Sequence, residues 1–332
     1  MTLRASVAIP TWKRCNLLRN LILALEAQTI PQDEYEIVVC DSHSGDGTSE
    51  MMQALMQTYH NIKYVDVAVN SPVIKRNEAI RRASAPLVIL LDDDVLVMQN
   101  FIEAHLNAHA RQSNSVFCGQ VRFPPEFVAT SNYFRYRDSR HLGSTRPEIN
   151  SQDLPYYLIV IMNLSFKRDD LKTVGWFSEE FDHYGCEDPE FGYRIVKAGI
   201  RLKFLEDALV YHYEAKGAIS QYMKKLYTST RYSVPILHRL VPDSVDLPNY
   251  RYLESIRSTD TFAIRICKLF FKIATNRLFS QIILAFLEKT DHIRWLYSPL
   301  LFRYSVAAAY AKGVQDRPQN RSSALRTSTW FD

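Results

Sequence analysis

Three adjacent aspartates follow directly behind a short apolar run. Asp92, Asp93 and Asp94 come after Leu87–Leu91, which has the length and composition of a buried strand. A strand that ends in carboxylates places them at the carboxyl edge of a sheet, where ligands bind in α/β folds. Three like charges are stable together only if they are exposed, partly protonated or neutralised by a cation. Mg²⁺ or Mn²⁺ suits such oxygen ligands and commonly binds a substrate diphosphate as well, whereas a polar turn is the simpler alternative.

A second group of polar residues lies where neighbouring elements begin or end. Asp41 follows the apolar segment 36–40 as Asp92 follows its own strand, and two neighbouring parallel strands would bring both carboxylates to one edge. Lys75 and Arg76 open a predicted helix, where a cation can bind a phosphate or a base. A charge on the solvated surface of that helix is the alternative for each of them.

An acidic and aromatic stretch, residues 175–194, holds further candidates. Glu187 and Asp188 immediately precede Pro189, a residue that favours the first turn of a helix. Asp188 is therefore a candidate cap for that helix through backbone N–H groups. It is also a candidate general base for an acceptor hydroxyl, and its two oxygens allow both roles together.

Two other side chains depend on the fold for any role. A lone histidine such as His212, which follows a predicted strand, is usually structural or exposed. It becomes a candidate metal ligand only if it converges on Asp94. Trp176 offers an aromatic face on which a sugar could stack.

Alternating strands and helices must position these side chains. In the first third of the chain they predict βαβ crossovers and an α/β fold with a mainly parallel sheet, and no GxGxxG dinucleotide fingerprint is present. Predicted strands occupy residues 6–10, 36–40, 62–67, 87–91, 157–166 and 201–205. Predicted helices occupy residues 17–27, 49–59, 73–83, 100–111 and 189–198. Beyond Ser220 the pattern is helical.

Composition argues against some classes of protein. A net charge of +4 is too small to indicate nucleic-acid binding, and the five cysteines, an odd number without CxxC spacing, favour reduced thiols. The sequence has no pattern of a signal peptide and no uncharged apolar stretch of about 18 residues that would span a bilayer. We therefore expect a cytoplasmic protein that can lie peripherally on the inner face of the membrane.

The charge is unevenly distributed along the chain. Residues 260–332 hold 11 basic and 5 acidic side chains, a net charge of +6, which leaves −2 for the remainder. Within residues 262–303, apolar and aromatic residues recur at helical spacing beside basic ones, a pattern that suits the interface of an anionic membrane. A helix packed on the α/β domain, or against a second subunit of a homo-oligomer, is the alternative.

Several motifs, taken in order, resemble those of family 2 glycosyltransferases, which have the Rossmann-like GT-A fold. The motifs are VAIPTWKR at 7–14, DSHSGDGT at 41–48, RN at 76–77 and LDDD at 91–94. Residues 163–194 resemble the acceptor half of chondroitin-type polymerases, galactosyltransferases and polypeptide N-acetylgalactosaminyltransferases. The resemblance covers about residues 5–215, and it implies a GT-A domain of α/β class that precedes a C-terminal helical extension.

For the donor, the resemblance implies a nucleotide sugar, with a UDP-sugar expected. Pro10, Thr11 and Asp41 would line the nucleoside pocket, with Asp41 near the base or ribose. Arg76 would approach the base or the diphosphate. Trp176 is grouped with these residues as a face for the sugar.

For the metal and the chemistry, the resemblance implies further roles. The acidic triplet matches the DxD motif, in which Asp92 and Asp94 bind ribose and Mn²⁺ or Mg²⁺, and Asp93 is able to share this role. His212 matches a metal-ligand histidine of some members. Asp188 matches the catalytic base, and Glu187 its partner in acceptor contact or site geometry.

The resemblance also implies a reaction and a division of the chain. No Gln-x-x-Arg-Trp motif is present, so transfer of single sugars to a glycan or lipid-linked acceptor is favoured over processive synthesis, with inversion at the anomeric carbon. We expect a catalytic domain at 1–219 (nucleotide-sugar half 1–115, acceptor half 116–219), a basic helical extension at 220–312 and a flexible tail at 313–332.

Two other functions remain as alternatives. A nucleotidyltransferase would need a Gly-rich triphosphate loop near the first strand, and residues 10–14 contain no glycine. A non-catalytic carbohydrate-binding or scaffold protein would keep the fold without turnover.

Overall fold

The computed structural model describes residues 2–141, 153–214, 219–248 and 250–317. The chain forms two compact units. The first comprises Met1–Pro124, Asp138–Glu179 and Glu187–Glu214, and the second comprises Pro125–Arg137, Glu180–Cys186 and Ala215–Asp332. The predicted boundaries of the catalytic domain and of the helical extension stay predictions. Of the predicted tail at 313–332, the part beyond residue 317 lies outside the described residues.

An eight-stranded mixed sheet forms the centre of the first unit. Its strands are β1 (Ala5–Pro10), β2 (Tyr35–Asp41), β3 (Ile62–Asp66), β4 (Leu87–Leu91), β5 (Val95–Val97), β6 (Ser115–Arg122), β7 (Asn163–Lys167) and β8 (Arg201–His212). They lie in the order β3-β2-β1-β4-β7-β6-β8-β5. The pairings among β1 to β4 and between β6 and β8 are parallel, and the other three are antiparallel.

Helices occur in both units. In chain order they are α1 (Cys15–Glu26), α2 (Thr48–Thr58), α3 (Pro72–Arg82), α4 (Phe101–Arg111), α5 (Pro125–Thr130), α6 (Asn132–Asp138), α7 (Leu171–Val174), α8 (Glu187–Lys197), α9 (Ile219–Thr228), α10 (Val234–Leu240), α11 (Phe262–Ala274), α12 (Arg277–Lys289) and α13 (Pro299–Gln315). Among the described residues, no single helix is long and apolar enough to cross a membrane, although α11 and α12 together pass that test as a pair bent by 67°.

The core of the first unit follows from its apolar periodicity. Every residue of β1, β2 and β4 is buried, as expected for strands covered on both faces. α1 buries one stripe at helical spacing, Leu18, Leu21, Ile22 and Leu25, in the same cluster as these strands.

A buried polar cluster lies beside this core. His105 on α4 bonds through Nδ1 to Ser165 Oγ at 2.8 Å and through Nε2 to Asn163 Oδ1 at 3.1 Å, and His109 Nε2 lies 2.9 Å from the same Ser165 Oγ. A Cβ at Gly119 would meet Asn163 Nδ2 at 2.2 Å, so only glycine fits opposite that amide. Burial lowers the pKa of His105 to about 3 and that of His109 to about 4, which keeps both rings neutral.

The predicted α/β fold class with a C-terminal helical region is confirmed, and β4 has the predicted bounds. The predicted strand 157–166 is wrong in its first part, where a 3₁₀ helix covers Tyr156–Leu158, and only β7 is extended. β8 continues beyond the predicted end at 205, because a register shift at Gly119/Gln120 lets it stay paired with β6. β1 lies between β2 and β4, so the strands before Asp41 and Asp92 are not neighbours, although both run parallel to β1.

The second unit is helical in its described part. α12 buries Ile283 and Leu287, and α13 buries Phe302, whose ring stacks on Tyr136 with centroids 4.8 Å apart. Asp291 accepts from the backbone N–H of Tyr133 at 2.7 Å, which ties α6 to the loop that follows α12. α12 and α13 are therefore packed elements of this unit.

Candidate functional site

The acidic triplet lies in the turn between β4 and β5, and an arginine neutralises part of it. Arg14 Nη1 donates to Asp93 Oδ1 and to Asp94 Oδ2, both at 2.7 Å, and Thr11 Oγ1 donates to Asp93 Oδ2 at 2.7 Å. Asp93 and Asp94 are buried, whereas the side chain of Asp92 is 30% exposed. The cation that pairs with Asp93 and Asp94 in this structure is therefore the Arg14 guanidinium, for which the sequence suggested no role.

These charges act on each other's protonation. Burial raises the pKa of Asp93, and the Arg14 charge opposes that shift. Burial lowers the pKa of Arg14, but the Asp94 and Asp93 charges outweigh it and raise that pKa above its ordinary value. Arg14 therefore stays charged.

His212 converges on Asp94, as a metal-ligand role requires. Val95 of β5 pairs with His212 of β8, which brings His212 Nε2 to 3.3 Å from Asp94 Oδ2. The imidazole stacks on Phe123, with centroids 5.2 Å apart, and the backbone N–H of Tyr213 donates to the Asp94 carbonyl at 2.7 Å. The buried Nδ1 of His212 has no hydrogen-bond partner within the described residues.

The donor atoms present suit a divalent cation held partly by substrate. Among the described residues no group of three or more His, Cys, Asp or Glu side chains is arranged to hold a metal ion. Mg²⁺ and similar ions are usually bound by one or two carboxylates, with phosphates and water completing the shell. Asp94, His212 and the half-exposed Asp92 fit that smaller requirement, provided that Arg14 releases the Asp94 carboxylate.

Arg76 on α3 is a buried cation with unused bonding capacity. Its Nη2 lies 3.4 Å from Asp92 Oδ1, and its guanidinium lies 5.5 Å from the centroid of the Phe177 ring. The residue is only 4% exposed, and its Nη1 has no hydrogen-bond partner within the described part of the chain. Buried guanidinium nitrogens are normally bonded, so an unpaired one favours a missing anionic ligand.

Lys75, the neighbour of Arg76, is buried and forms hydrogen bonds that stabilise the fold. It is 1% exposed, and its Nζ donates to the Thr11 carbonyl at 2.7 Å and to Asn70 Oδ1 at 2.9 Å. Burial lowers the pKa of Lys75 to about 8. Lys75 thus holds the chain just after Pro10, where the nucleoside pocket is predicted.

Asp41 is buried, and its carboxylate is bonded within its own loop. It accepts from the backbone N–H of Ser42 at 2.7 Å, from Ser44 Oγ, and from Tyr64 OH at 2.9 Å. In this structure Asp41 stabilises the 41–48 loop, and a contact with a base or ribose stays a prediction.

Asp188 lies in the first turn of α8, next to Glu187. Because α8 begins at Glu187, Asp188 is inside the helix rather than at its cap, and its Oδ2 accepts from the backbone N–H of Ile161 at 3.2 Å. Burial and the Glu187 charge raise the pKa of Asp188 to about 8. The residue as a whole is only partly buried in the structure.

The charges of Arg76 and Asp92 also act on Asp188. The Arg76 charge lowers its pKa and the Asp92 charge raises it, so the three groups lie within electrostatic range of one another. The Arg76 charge thus acts on both Asp92 and Asp188.

The aromatic segment before α8 is held by α3. Asn77, which follows Arg76 on α3, donates through Nδ2 to the Phe177 carbonyl at 3.0 Å and accepts from the Phe177 N–H at 3.1 Å. The adjacent Trp176 is 41% exposed, and the Arg81 guanidinium lies 4.8 Å from the centroid of its ring. A sugar contact at Trp176 stays a prediction. The positioning role of Asn77 was not predicted from the sequence, although Asn77 belongs to the RN motif.

The sequence matches models of known protein families and several characterised proteins. The model described as glycosyl transferase family 2 matches residues 6–174, and the N-terminal domain of galactosyltransferase matches residues 141–216. Chondroitin synthase of Escherichia coli is 28% identical over 249 residues, 64% of this chain and 35% of that protein. Validoxylamine A glucosyltransferase of Streptomyces hygroscopicus subsp. jinggangensis is 30% identical over 220 residues, 59% of this chain and 52% of that protein. The chain thus spans about a third to a half of these relatives.

Solved structures share the fold at lower identity. The mannosyltransferase PcManGT from Pyrobaculum calidifontis, in complex with GDP-Man and Mn²⁺, has a TM-score of 0.60 and 16% identity, with 96% of this chain and 89% of that chain covered. TarS of S. aureus, in complex with UDP-GlcNAc, has a TM-score of 0.55 and 14% identity, with 94% and 91% covered. The order of the motifs, the GT-A fold and the match of the family model agree, and the chain belongs to glycosyl transferase family 2.

Proposed function

We propose that this protein transfers a single sugar from a nucleotide sugar, a UDP-sugar, to a hydroxyl group of a glycan or lipid-linked acceptor. One observation carries the proposal: the buried Arg76 Nη1, beside the acidic triplet, has no hydrogen-bond partner among the residues that the structure describes. A diphosphate is the ligand whose charge and oxygens meet that need. The same cation acts electrostatically on Asp188, so donor and acceptor chemistry share one site.

Asp94, His212 and Asp92 are the residues that would hold Mn²⁺ or Mg²⁺. When bound, such an ion acts as a Lewis acid that stabilises charge on a diphosphate leaving group. Arg14 bonds to Asp94 at 2.7 Å, and it must turn away for that carboxylate to bind an ion. The released guanidinium is then available to a phosphate oxygen. PcManGT, which has the same fold, was solved with GDP-Man and Mn²⁺.

Asp188 is proposed as the general base. Its carboxylate accepts the proton of the acceptor hydroxyl while that oxygen attacks the anomeric carbon opposite the diphosphate, and one in-line displacement inverts the centre. The Ile161 N–H bond uses one carboxylate oxygen and leaves the other for the acceptor. Burial raises the proton affinity of this base, and the Glu187 charge raises it further.

A UDP-sugar is the donor that the resemblance of the sequence motifs implies. Proteins of the same fold were solved with UDP-GlcNAc in TarS and with GDP-Man in PcManGT. The absence of Gln-x-x-Arg-Trp in the sequence favours single transfer.

The test is a panel of nucleotide sugars incubated with Mn²⁺ and simple glycoside acceptors, with release of nucleoside diphosphate as the readout. We expect the native protein to release UDP from one UDP-sugar, and the Asp188→Asn variant to release little. Binding of a UDP-sugar without any turnover would instead support the non-catalytic alternative. Release of pyrophosphate from a nucleoside triphosphate would support the nucleotidyltransferase.

A further inference from the structure

α11 exposes many apolar side chains to solvent, whereas Lys268 is buried beside the partly buried Ile264 and Phe271 on the opposite side of the helix. Exposed apolar residues recur at helical spacing along one face of α11 and continue onto α12. We call this set the outer face: Phe262, Ile266, Leu269, Phe270, Ile273, Leu278, Phe279, Ile282 and Phe286. Phe262 and Ile273 are 79% and 75% exposed. The solvent-facing side of a surface helix is normally polar.

A buried ion pair fixes this orientation of α11. Lys268 Nζ lies 2.6 Å from Asp260 Oδ2 and donates to the Ser255 carbonyl at 2.8 Å, and both charged side chains are almost completely buried. Rotating α11 to bury its apolar side would expose or separate that pair, and breaking a buried pair is strongly destabilising. The exposed outer face is therefore built into the unit.

The charge around the outer face identifies its partner. Residues 262–303 hold seven basic and two acidic side chains, a net charge of +5. Lys272 and Arg277, both exposed, lie on either side of the bend between α11 and α12. Next along the chain, Trp295 is 82% exposed and Leu300 is 70% exposed. Exposed aromatic and aliphatic side chains beside cations suit the headgroup region of an anionic bilayer.

Two other arrangements fit the same features less well. In a symmetric dimer built on this surface, each basic patch would meet its own copy, and like charges across an interface are unfavourable. The other arrangement is a transmembrane span. Each helix has 13 residues, and at about 1.5 Å per residue neither helix alone is long enough to cross the ~30 Å hydrocarbon core. A helix lying in the plane of the interface has neither problem.

We propose that the outer face of α11 and α12 docks the protein on an anionic lipid bilayer, with both helices parallel to its surface. Phe, Ile and Leu side chains enter the acyl boundary, and Lys272, Arg277 and Arg303 meet the lipid phosphates. Docking of this kind would bring the enzyme to a lipid-linked acceptor, a consequence that rests on the proposed function. The docking itself does not.

Flotation of the full-length protein with two kinds of vesicle tests the proposal. The first kind contains phosphatidylcholine alone. In the second kind, phosphatidylglycerol replaces part of the phosphatidylcholine. We expect binding to the mixed vesicles that falls as salt rises. The double substitution Phe270→Glu with Ile273→Glu should reduce that binding about tenfold or more, since each side chain loses its apolar burial.

Matched controls separate docking from general surface effects. Met56→Glu with Val196→Glu changes two exposed apolar residues of the first unit and should leave flotation unchanged. Lys272→Glu with Arg277→Glu should abolish the preference for phosphatidylglycerol, whereas Arg19→Glu with Arg111→Glu, in the first unit, should not. Release of nucleoside diphosphate with a soluble acceptor should be equal in all of these variants.

Two outcomes would overturn the proposal. One is undiminished flotation of the Phe270→Glu, Ile273→Glu variant. The other is a native dimer, measured by light scattering, that binds no vesicles and becomes monomeric in that variant, which would assign the outer face to a second copy of the chain.

Discussion

His212 Nε2 lies 3.3 Å from Asp94 Oδ2, although 118 positions of sequence numbering separate the two residues. The antiparallel pairing of β5 with β8 creates this proximity, since Val95 is opposite His212. A carboxylate and an imidazole at this distance can both reach one divalent cation.

The first prediction follows from that pair. Asp94→Ala and His212→Ala should each weaken Mn²⁺-dependent binding of UDP about tenfold or more, because each removes a metal ligand. Calorimetry with and without Mn²⁺ measures this. His60→Ala, an exposed histidine of the same unit, is the control and should have native affinity. Native affinity in both site variants would remove this pair from the metal site.

The second prediction concerns the base. Asp188→Asn keeps the shape of the side chain but cannot accept a proton, so turnover should fall about 10²- to 10⁴-fold while the Kd for UDP changes little. Steady-state rates and calorimetry measure the two quantities. Asp169→Asn, in which an exposed carboxylate is changed, should retain native turnover.

The third prediction concerns pH. Burial and Glu187 raise the pKa of Asp188 to about 8, so kcat/KM should rise as the pH rises through that range and the base loses its proton. Glu187→Gln removes a negative neighbour and should move the rise to lower pH. Arg76→Gln removes a positive neighbour and should move it to higher pH. Shifts in the same direction for both variants would contradict this electrostatic account.

The fourth prediction separates binding from stability at Arg76. Arg76→Met fills similar space without a buried charge, and it removes a nitrogen that has no partner in the described part of the chain. The free energy of unfolding should change by less than about 1 kcal/mol, because removing an unsatisfied buried nitrogen opposes the loss of the long ion pair with the partly exposed Asp92. UDP affinity should nevertheless fall about tenfold. A parallel fall in both quantities would indicate a structural role.

The fifth prediction concerns acid stability. His105 and His109 are neutral in the fold, with pKa values of about 3 and 4 against an ordinary 6.5. The unfolded chain binds protons first as the pH falls, so their contribution is complete above 6.5 and is lost from there down towards 4 and 3. Within that window, each histidine lowers the free energy of unfolding by about 1.4 kcal/mol for every pH unit of acidification. Thermal unfolding of His105→Asn should show a smaller pH dependence than the native chain, measured from pH 7 to 4.5.

Local sequence patterns were enough to predict most of the parallel half of the sheet. The apolar runs at β1, β2 and β4 are short, buried and bounded by proline or aspartate, so their positions were predictable. Strand order was not, because β1 pairs on both sides and separates β2 from β4. The segment 157–162 is apolar but not extended, and periodicity does not distinguish such a segment from a strand.

The residues that neutralise and position the site needed the tertiary structure. Arg14 and Asn77 stood within recognisable motifs, but their partners, Asp93 and Asp94 for one and Phe177 for the other, are distant in sequence. Nothing local indicates such pairings. The raised pKa of Asp188 could not be predicted from the sequence either, because it depends on how separate segments pack around α8.

The amino-acid sequence alone determined the chemical groups of this protein, namely an acidic triplet behind a strand, a carboxylate pair before a helix and an apolar, basic C-terminal segment. It did so because strand and helix periodicity and charge are local properties. The folded chain decided which groups meet: His212 with Asp94, Arg76 between Asp92 and Asp188, and α11 held with its apolar side outward by Lys268 and Asp260. Strand pairing, burial and long-range charge exist only after distant segments pack together.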